Sequence, residues 1–262
     1  MDRVLQIVGG GRMGEALLGG LIAGGRAAGS LAVVEVAAAR REQLGRDYPG
    51  VTVAEAAVEA PDALLAVKPG DVPAAAAAVA DAGAERALSV AAGVTTRAIE
   101  EASGGRLRVI RAMPNTPALI GAGASAISAG ADAGDDDMTW AEEVLGAVGV
   151  VVRVPESQLD AVTGLSGSGP AYVFLVAEAL AEAGVLNGLP RDTAETLAFE
   201  TLAGAARLLA QGDTSPADLR AAVTSPGGTT AAGLAELERH GARAAFLDAV
   251  TAATRRSREL GA

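Results

Sequence analysis

The sequence predicts an α/β protein: a doubly wound domain with a parallel sheet, followed by a domain that is all helix. Three observations carry that prediction. Short apolar or β-branched runs alternate with helical stretches as far as Pro155, the pattern of strands covered on both faces by crossover helices. After Pro155 strand-like runs cease, and apolar residues recur at helical spacing, as in Val173, Val176, Leu180 and Gly184. Directly after the first strand stands Gly9-Gly10-Gly11-Arg12-Met13-Gly14, the spacing G-x-G-x-x-G at the opening of a helix. The boundary is therefore placed at 155/156, with a dinucleotide-binding domain over 1–155 and a helical substrate-binding and dimerisation domain over 156–262.

Strands are expected near Val4–Val8, Leu31–Glu35, Val51–Val53, Ala63–Val67, Ala87–Val90 and Leu107–Met113. After Pro117 a short strand over Ala124–Ser128, a helix over Asp135–Val148 and a last strand over Val150–Val154 complete the first domain. Its opening helix, Met13–Ala23, stops at Gly24-Gly25, where glycine serves as a C-terminal cap. In the second half Leu189-Pro190 and Ser215-Pro216 put proline where a helix begins, and Ser215 can cap the donors behind it. Long helices follow over Arg191–Gln211 and Arg243–Leu260. A helical domain so rich in alanine buries little area per residue and gains by packing on a second copy, so a homodimer or a higher homo-oligomer of dimers is expected.

Composition narrows the function. The 262 residues include no cysteine, which excludes disulfides, thiolate metal sites and a cysteine nucleophile; no metal site is read. A net charge of −11 argues against a duplex nucleic-acid partner, which requires a cationic footprint. The start runs into a strand without an export leader, and the most apolar stretches carry Pro73, Asp81, Glu178 or Glu182 before a bilayer is spanned. A soluble, cytoplasmic protein without a membrane partner is expected. Lys68 is the sole lysine among 21 basic residues, so an ammonium at that place invites a specific reason.

The glycine loop defines the first site. Gly9 permits a tight turn, Gly11 lets backbone approach a pyrophosphate, and Gly14 lets helix and strand pack closely, while Gly10, Arg12 and Met13 complete the cradle. This is a Rossmann-type nucleotide site. The second strand ends in Glu35, and an acid there accepts ribose hydroxyls, which favours NADH. Arg40 and Arg41 follow within a helical turn and could reach a 2′-phosphate, which leaves the choice between NADPH and NADH open.

Further segments resemble the pyrroline-5-carboxylate reductases, and the resemblance runs along the whole chain. They are Ala66-Val67-Lys68-Pro69, Ala91-Ala92-Gly93-Val94-Thr95, Arg111-Ala112-Met113-Pro114-Asn115-Thr116-Pro117, the stretch from Asp160 to Tyr172 containing Gly164-Leu165-Ser166-Gly167-Ser168-Gly169-Pro170, and Val223-Thr224-Ser225-Pro226-Gly227-Gly228-Thr229-Thr230. Glycine this dense among helices costs about 1 kcal/mol for each helical position, so a close backbone contact is the natural reason for it. The resemblance implies an NAD(P)H-dependent reductase that converts 1-pyrroline-5-carboxylate to L-proline, the last step of proline biosynthesis. It also implies that Ala66, Val67, Lys68, Pro69, Ala91, Ala92, Gly93 and Asn115 line the cofactor. Ser225, Gly228, Thr229 and Thr230 would hold the substrate carboxylate. Thr230 would relay a proton to the ring nitrogen, and Glu156 would steady the iminium charge. Ala54 and Ala222 stand where the family commonly has polar residues, a departure that bears on cofactor grip.

Two other readings compete. A 3-hydroxyacid dehydrogenase of the same two-domain plan would want a lysine in the interdomain helix, and Gly164–Glu178 has none. A cofactor sensor without chemistry would have no use for a carboxylate nest. His240 at a helix end and Trp140 on the last helix of the first domain are read as structural.

Overall fold

The computed structural model describes residues 4–261. The expected start of the chain at Met1-Asp2-Arg3 lies outside the described residues, as does Ala262. Contacts divide the chain into two compact units, one of residues 1–168 with 251–262 and one of residues 169–250. The segments on either side of the second unit, which the sequence reading assigns to the helical domain, thus belong by their contacts to the first.

The first unit is built on eight strands: β1 (Leu5–Val8), β2 (Leu31–Val34), β3 (Thr52–Ala54), β4 (Asp62–Leu65), β5 (Arg86–Ser89), β6 (Arg108–Met113), β7 (Gly123–Ala129) and β8 (Gly149–Arg153). They form one sheet in the order β3-β2-β1-β4-β5-β6-β7-β8. Chain order reverses between β1 and β4, so the carboxyl ends of these two neighbours flank the crevice where an open α/β sheet takes its ligands.

The helices α1 (Arg12–Ala23), α2 (Ala38–Asp47), α3 (Val72–Asp81), α4 (Thr96–Ala102) and α5 (Asp135–Gly146) cover both faces. Alternation along each central strand explains how. Leu64, Leu88 and Ile110 face one core with Leu17, Leu18, Leu21, Trp140 and Leu145, while Ala63, Leu65, Ala87 and Val109 face the other with Val72, Val79 and Ile99.

Every strand expected from the sequence is present, within a residue or two at each end. The sheet is parallel as expected except at one place: β7, for which the sequence sets no direction, runs antiparallel to β6, with Met113 opposite Ala126. The link between them holds only a 3₁₀ turn, Thr116–Ile120, too short for the crossover a parallel neighbour needs. β8 then returns parallel to β7.

At the sheet's amino edge the first residues of β4, β5 and β6 stand in register as Asp62, Arg86 and Arg108. Arg86 donates to Asp62 at 2.7 Å and lies 3.6 Å from Asp137, and Arg108 donates to Asp137 at 3.1 Å. Arg86 also stacks 4.2 Å from the centroid of Trp140. These charges stay in a nearly dry setting because each has an opposite partner.

The second unit contains α7 (Gly169–Leu186), α8 (Arg191–Ala210), α9 (Pro216–Ala222) and α10 (Thr229–Arg239); a four-residue helix, α6 (Leu159–Val162), precedes it, and α11 (Ala242–Leu260) leaves it. α7 and α8 are adjacent along the chain and pack so closely that a Cβ on Gly184 would lie 2.9 Å from that of Ala194. Among the described residues of this unit only Ala181, Ala194 and Ala198 are buried, while Phe174, Leu175, Leu197 and Phe199 stand about half exposed or more. Three alanines cannot offset the chain entropy of four helices, so these apolar faces are surfaces to be covered.

One helical run, Glu156–Leu186, is by length and composition alone apolar enough to cross a membrane, with Glu178 and Glu182 inside it; helices that pack between protein surfaces share this composition.

Burial alone would raise the Asp137 carboxyl, but the Gly134 N–H and the guanidinium groups of Arg108 and Arg86 outweigh it and hold Asp137 below the usual carboxylate range. A depressed folded value contributes stability that is present above the unfolded value of about 3.9 and is lost as pH falls through the folded one. Asp137→Asn is expected to lower stability at neutral pH by about 2 kcal/mol and to flatten the acid limb below about pH 4, measured by urea unfolding across pH.

Candidate active site

Three strand ends build the nucleotide half of the site within the first unit. The chain leaves β1 through Gly9, whose φ of +105° is open to glycine and whose Cβ would lie 2.5 Å from the Ala66 carbonyl oxygen. A Cβ on Gly14 would lie 2.0 Å from the Gly9 carbonyl oxygen. Gly11, by contrast, has nothing within 4 Å of its would-be Cβ. It is the N-cap of α1 and offers no side chain to the first-turn N–H groups. Crowding at Gly9 and Gly14, with open space and unmet donors at Gly11, is the arrangement that admits a pyrophosphate, so these residues fit a dinucleotide. Met13 turns its side chain onto the core and contributes backbone to the cradle, and Arg12 is exposed beside it.

Glu35 follows β2 directly. Its carboxylate accepts the Gly10 N–H at 3.0 Å and the Ala37 N–H at 2.8 Å. Arg40, which the sequence leaves able to reach a 2′-phosphate, donates to the Gly10 carbonyl at 2.7 Å and pairs with Glu15 at 2.5 Å. Arg41 donates to the Glu35 and Val36 carbonyls and pairs with Glu55 at 3.0 Å.

Ala66, Val67, Lys68 and Pro69 leave β4 into a 3₁₀ turn that Lys68 opens, with the lysine exposed at the carboxyl edge. Ala91, Ala92 and Gly93 leave β5 beside it. A cavity of about 390 Å³ opens there, lined by Pro69, Ala92, Gly93, Thr163, Ser168 and Ser257. Ala253, Arg256 and Leu260 of α11 complete its lining.

Two residues have engagements that the sequence did not foretell. The Asn115 side chain, expected to orient a ligand, accepts the Ala124 N–H at 2.9 Å and donates to the Ser166 carbonyl at 3.1 Å. The chain reversal from β6 to β7 leaves an N–H that needs an acceptor, and Asn115 supplies it. Glu156 accepts from the Thr96 N–H and hydroxyl, both at 2.8 Å, and pairs with Arg111 at 3.1 Å. Burial would raise its carboxyl, but the Thr96 donors and the Arg111 guanidinium together hold it below the usual range. Glu156 is thereby a fixed negative charge that ties the turn after β5 to the end of β6.

Arg111 and Thr96 are the residues that sequence reasoning passed over. Arg111 is 7% exposed in the middle of β6, between the buried Ile110 and Ala112. A buried guanidinium demands an acid, and that signal pointed to a partner without naming it.

The other unit, taken by itself, carries a second candidate binding feature. α9 and α10 are joined by a turn in which Gly227 has φ +67° and Gly228 is the N-cap of α10, with no side chain capping the helix. A Cβ on Gly228 would meet the Ser225 hydroxyl oxygen at 2.4 Å. Ser225 and Thr229 are exposed, and Gly228 and Thr230 are partly so. The amino end of α10 thus presents its orphan N–H groups to the surface rather than to packing partners. His240 closes the same helix, its ring nitrogen 2.9 Å from the Glu236 carbonyl oxygen.

The sheet order and glycine turn define a dinucleotide-binding oxidoreductase domain, and residues 4–93 match the family model described as NADP oxidoreductase, coenzyme F420-dependent. Residues 156–260 match the model for pyrroline-5-carboxylate reductase dimerisation. The chain is 48% identical to a pyrroline-5-carboxylate reductase of Synechocystis, over 100% of this chain and 99% of that one. It is 41% identical to one of Corynebacterium melassecola, over 98% of each. Among solved structures, a pyrroline-5-carboxylate reductase of Coxiella burnetii superposes with a TM-score of 0.94 at 37% identity, covering 100% of both chains. That of Plasmodium falciparum, solved with NADP bound, gives 0.86 at 26% identity, covering 100% of this chain and 99% of that one. The chain belongs to the pyrroline-5-carboxylate reductase family. Its exposed apolar helices are accordingly those of a homo-oligomer.

Gly14→Ala is expected to push the Gly9 carbonyl out of place and weaken dinucleotide binding by at least about tenfold. Nicotinamide fluorescence titration measures this, with circular dichroism to show that the sheet persists.

Proposed function

We propose that this protein reduces 1-pyrroline-5-carboxylate to L-proline with a reduced nicotinamide dinucleotide. The observation that carries the reading is the pairing, in one chain, of a pyrophosphate turn at Gly9–Gly14 with an exposed, uncapped glycine–threonine helix start at Gly228–Thr230. Full-length likeness to named reductases supports it.

A bound nicotinamide would supply the hydride. Gly9, Gly10, Gly11 and the first turn of α1 would hold the pyrophosphate, and Lys68 and Pro69 would border the cofactor beside Ala91, Ala92 and Gly93. Glu156, held by Thr96 and Arg111, keeps the turn after β5 in register with the end of β6 and leaves a fixed negative charge near a cationic imine. Because its carboxyl is held low, it stays ionised and does not serve as the acid. At the amino end of α10, the N–H groups of Thr229 and Thr230 with the Ser225 hydroxyl would bind the substrate carboxylate, beside Gly228, whose own N–H is held by the Ser225 carbonyl at 3.0 Å. The Thr230 hydroxyl would contact the ring nitrogen and pass its proton. Positioning of the imine carbon within about 3 to 3.5 Å of the nicotinamide supplies the rest of the rate.

Residues 156–262 act on this reading as a substrate-binding and dimerisation domain and residues 1–155 as the nucleotide domain. The protein is read as soluble and cytoplasmic, a homodimer or an oligomer of dimers, without nucleic-acid or membrane partners. The apolar run through α7 serves contact between copies.

Oxidation of NADH or NADPH with racemic pyrroline-5-carboxylate, and none with a 3-hydroxyacid and the oxidised cofactor, is the expected result. Turnover of the hydroxyacid alone would overturn the reading. Thr230→Ala should lower kcat by about a hundredfold, the usual scale of a lost proton-transfer group. Full turnover with unchanged KM would remove Thr230 from the role.

A further inference from the structure

The turn after β2 bears on which dinucleotide the chain accepts. A 2′-phosphate needs a free cation, a hydroxyl or unclaimed N–H groups; a ribose 2′-hydroxyl needs an acceptor fixed in place. Glu35 is such an acceptor, because two backbone N–H groups, those of Gly10 and Ala37, hold its carboxylate. It cannot turn away without releasing the glycine turn itself. A Cβ on Gly10 would already lie 3.2 Å from its Oε2.

The two arginines that could offset this charge are both engaged. Arg40 is bound to Glu15 and to the Gly10 carbonyl, and Arg41 to Glu55 and two carbonyls of the turn. Glu15 and Glu55 thus take the side-chain charges of Arg40 and Arg41, and the Glu35 carboxylate is held by backbone N–H groups. Val36, Ala37, Ala38 and Ala39, which form the exposed lip of the turn, bring no side-chain donor, so a 2′-phosphate would have only the first-turn N–H groups of α2 to set against the Glu35 charge. We infer that this site selects NADH over NADPH, with Glu35 as the specificity-determining residue and the Glu15–Arg40 and Glu55–Arg41 pairs withholding the cations a 2′-phosphate requires. The inference rests on the proposed cofactor-dependent reading, and it concerns binding rather than turnover.

The test is titration of the whole protein with NADH and with NADPH by nicotinamide fluorescence, with no imine present. The wild-type chain is expected to bind NADH at least about tenfold more tightly at low ionic strength, and the ratio should shrink as salt is added. Glu35→Gln keeps an oxygen for one N–H while removing the charge and one acceptor; it should weaken NADH and shift the ratio of NADH to NADPH affinity toward NADPH by about tenfold or more. Glu15→Gln, which releases Arg40, should tighten NADPH by a smaller factor. Equal or tighter wild-type binding of NADPH overturns the selection, as does a Glu35→Gln variant that moves both affinities alike; turnover of the imine would then leave the reductase reading standing. Binding of neither dinucleotide would overturn that reading and this inference with it.

Discussion

The turn from β1 into α1 is the constraint on which the cofactor half depends. With the Gly9 carbonyl occupying the space where a Gly14 side chain would begin, strand and helix meet closely enough to aim the helix's first N–H groups across the crevice between β1 and β4. The same turn is gripped from the side, since Gly10 gives its N–H to Glu35 and its carbonyl to Arg40. Backbone and second strand are thus one assembly. The acid that would read the ribose also holds the loop that would read the pyrophosphate, and neither can be altered alone.

Charge is used differently at the two edges of the sheet. At the amino edge Asp62, Arg86, Asp137 and Arg108 neutralise one another, and Arg86 stacks on Trp140, which serves stability. At the carboxyl edge Glu156 draws on Thr96 and Arg111 and ties the turn after β5, which lines the cavity at Ala92 and Gly93, to β6. Both are nearly buried networks of acids and arginines, yet one lies far along the strands from any ligand and the other beside where a ligand would sit.

Much of this was legible in the sequence, for physical reasons. Strands buried on both faces write themselves as short apolar runs, and the glycine spacing marks the turn that no other residue could make. What escaped was pairing between distant residues. Nothing local says that Arg111 and Glu156 will meet, or that Asn115 will spend its amide on Ala124 and Ser166. The antiparallel turn into β7 escaped too, because a strand's direction is set by the length of the link before it and not by the strand's own residues. Arg40 and Arg41 read as mobile cations until their acids, one on α1 and one after β3, came into view.

Lys68 stands exposed at the end of β4, the sole lysine of the chain. Arginine guanidinium groups are poor nucleophiles at neutral pH, so among the side chains amine-directed acylating reagents have a single target here. Chemistry that would scatter labels over an ordinary protein would instead deliver one tag to the border of the nucleotide crevice, where its fluorescence or its protection reports on whatever occupies the neighbouring strand ends.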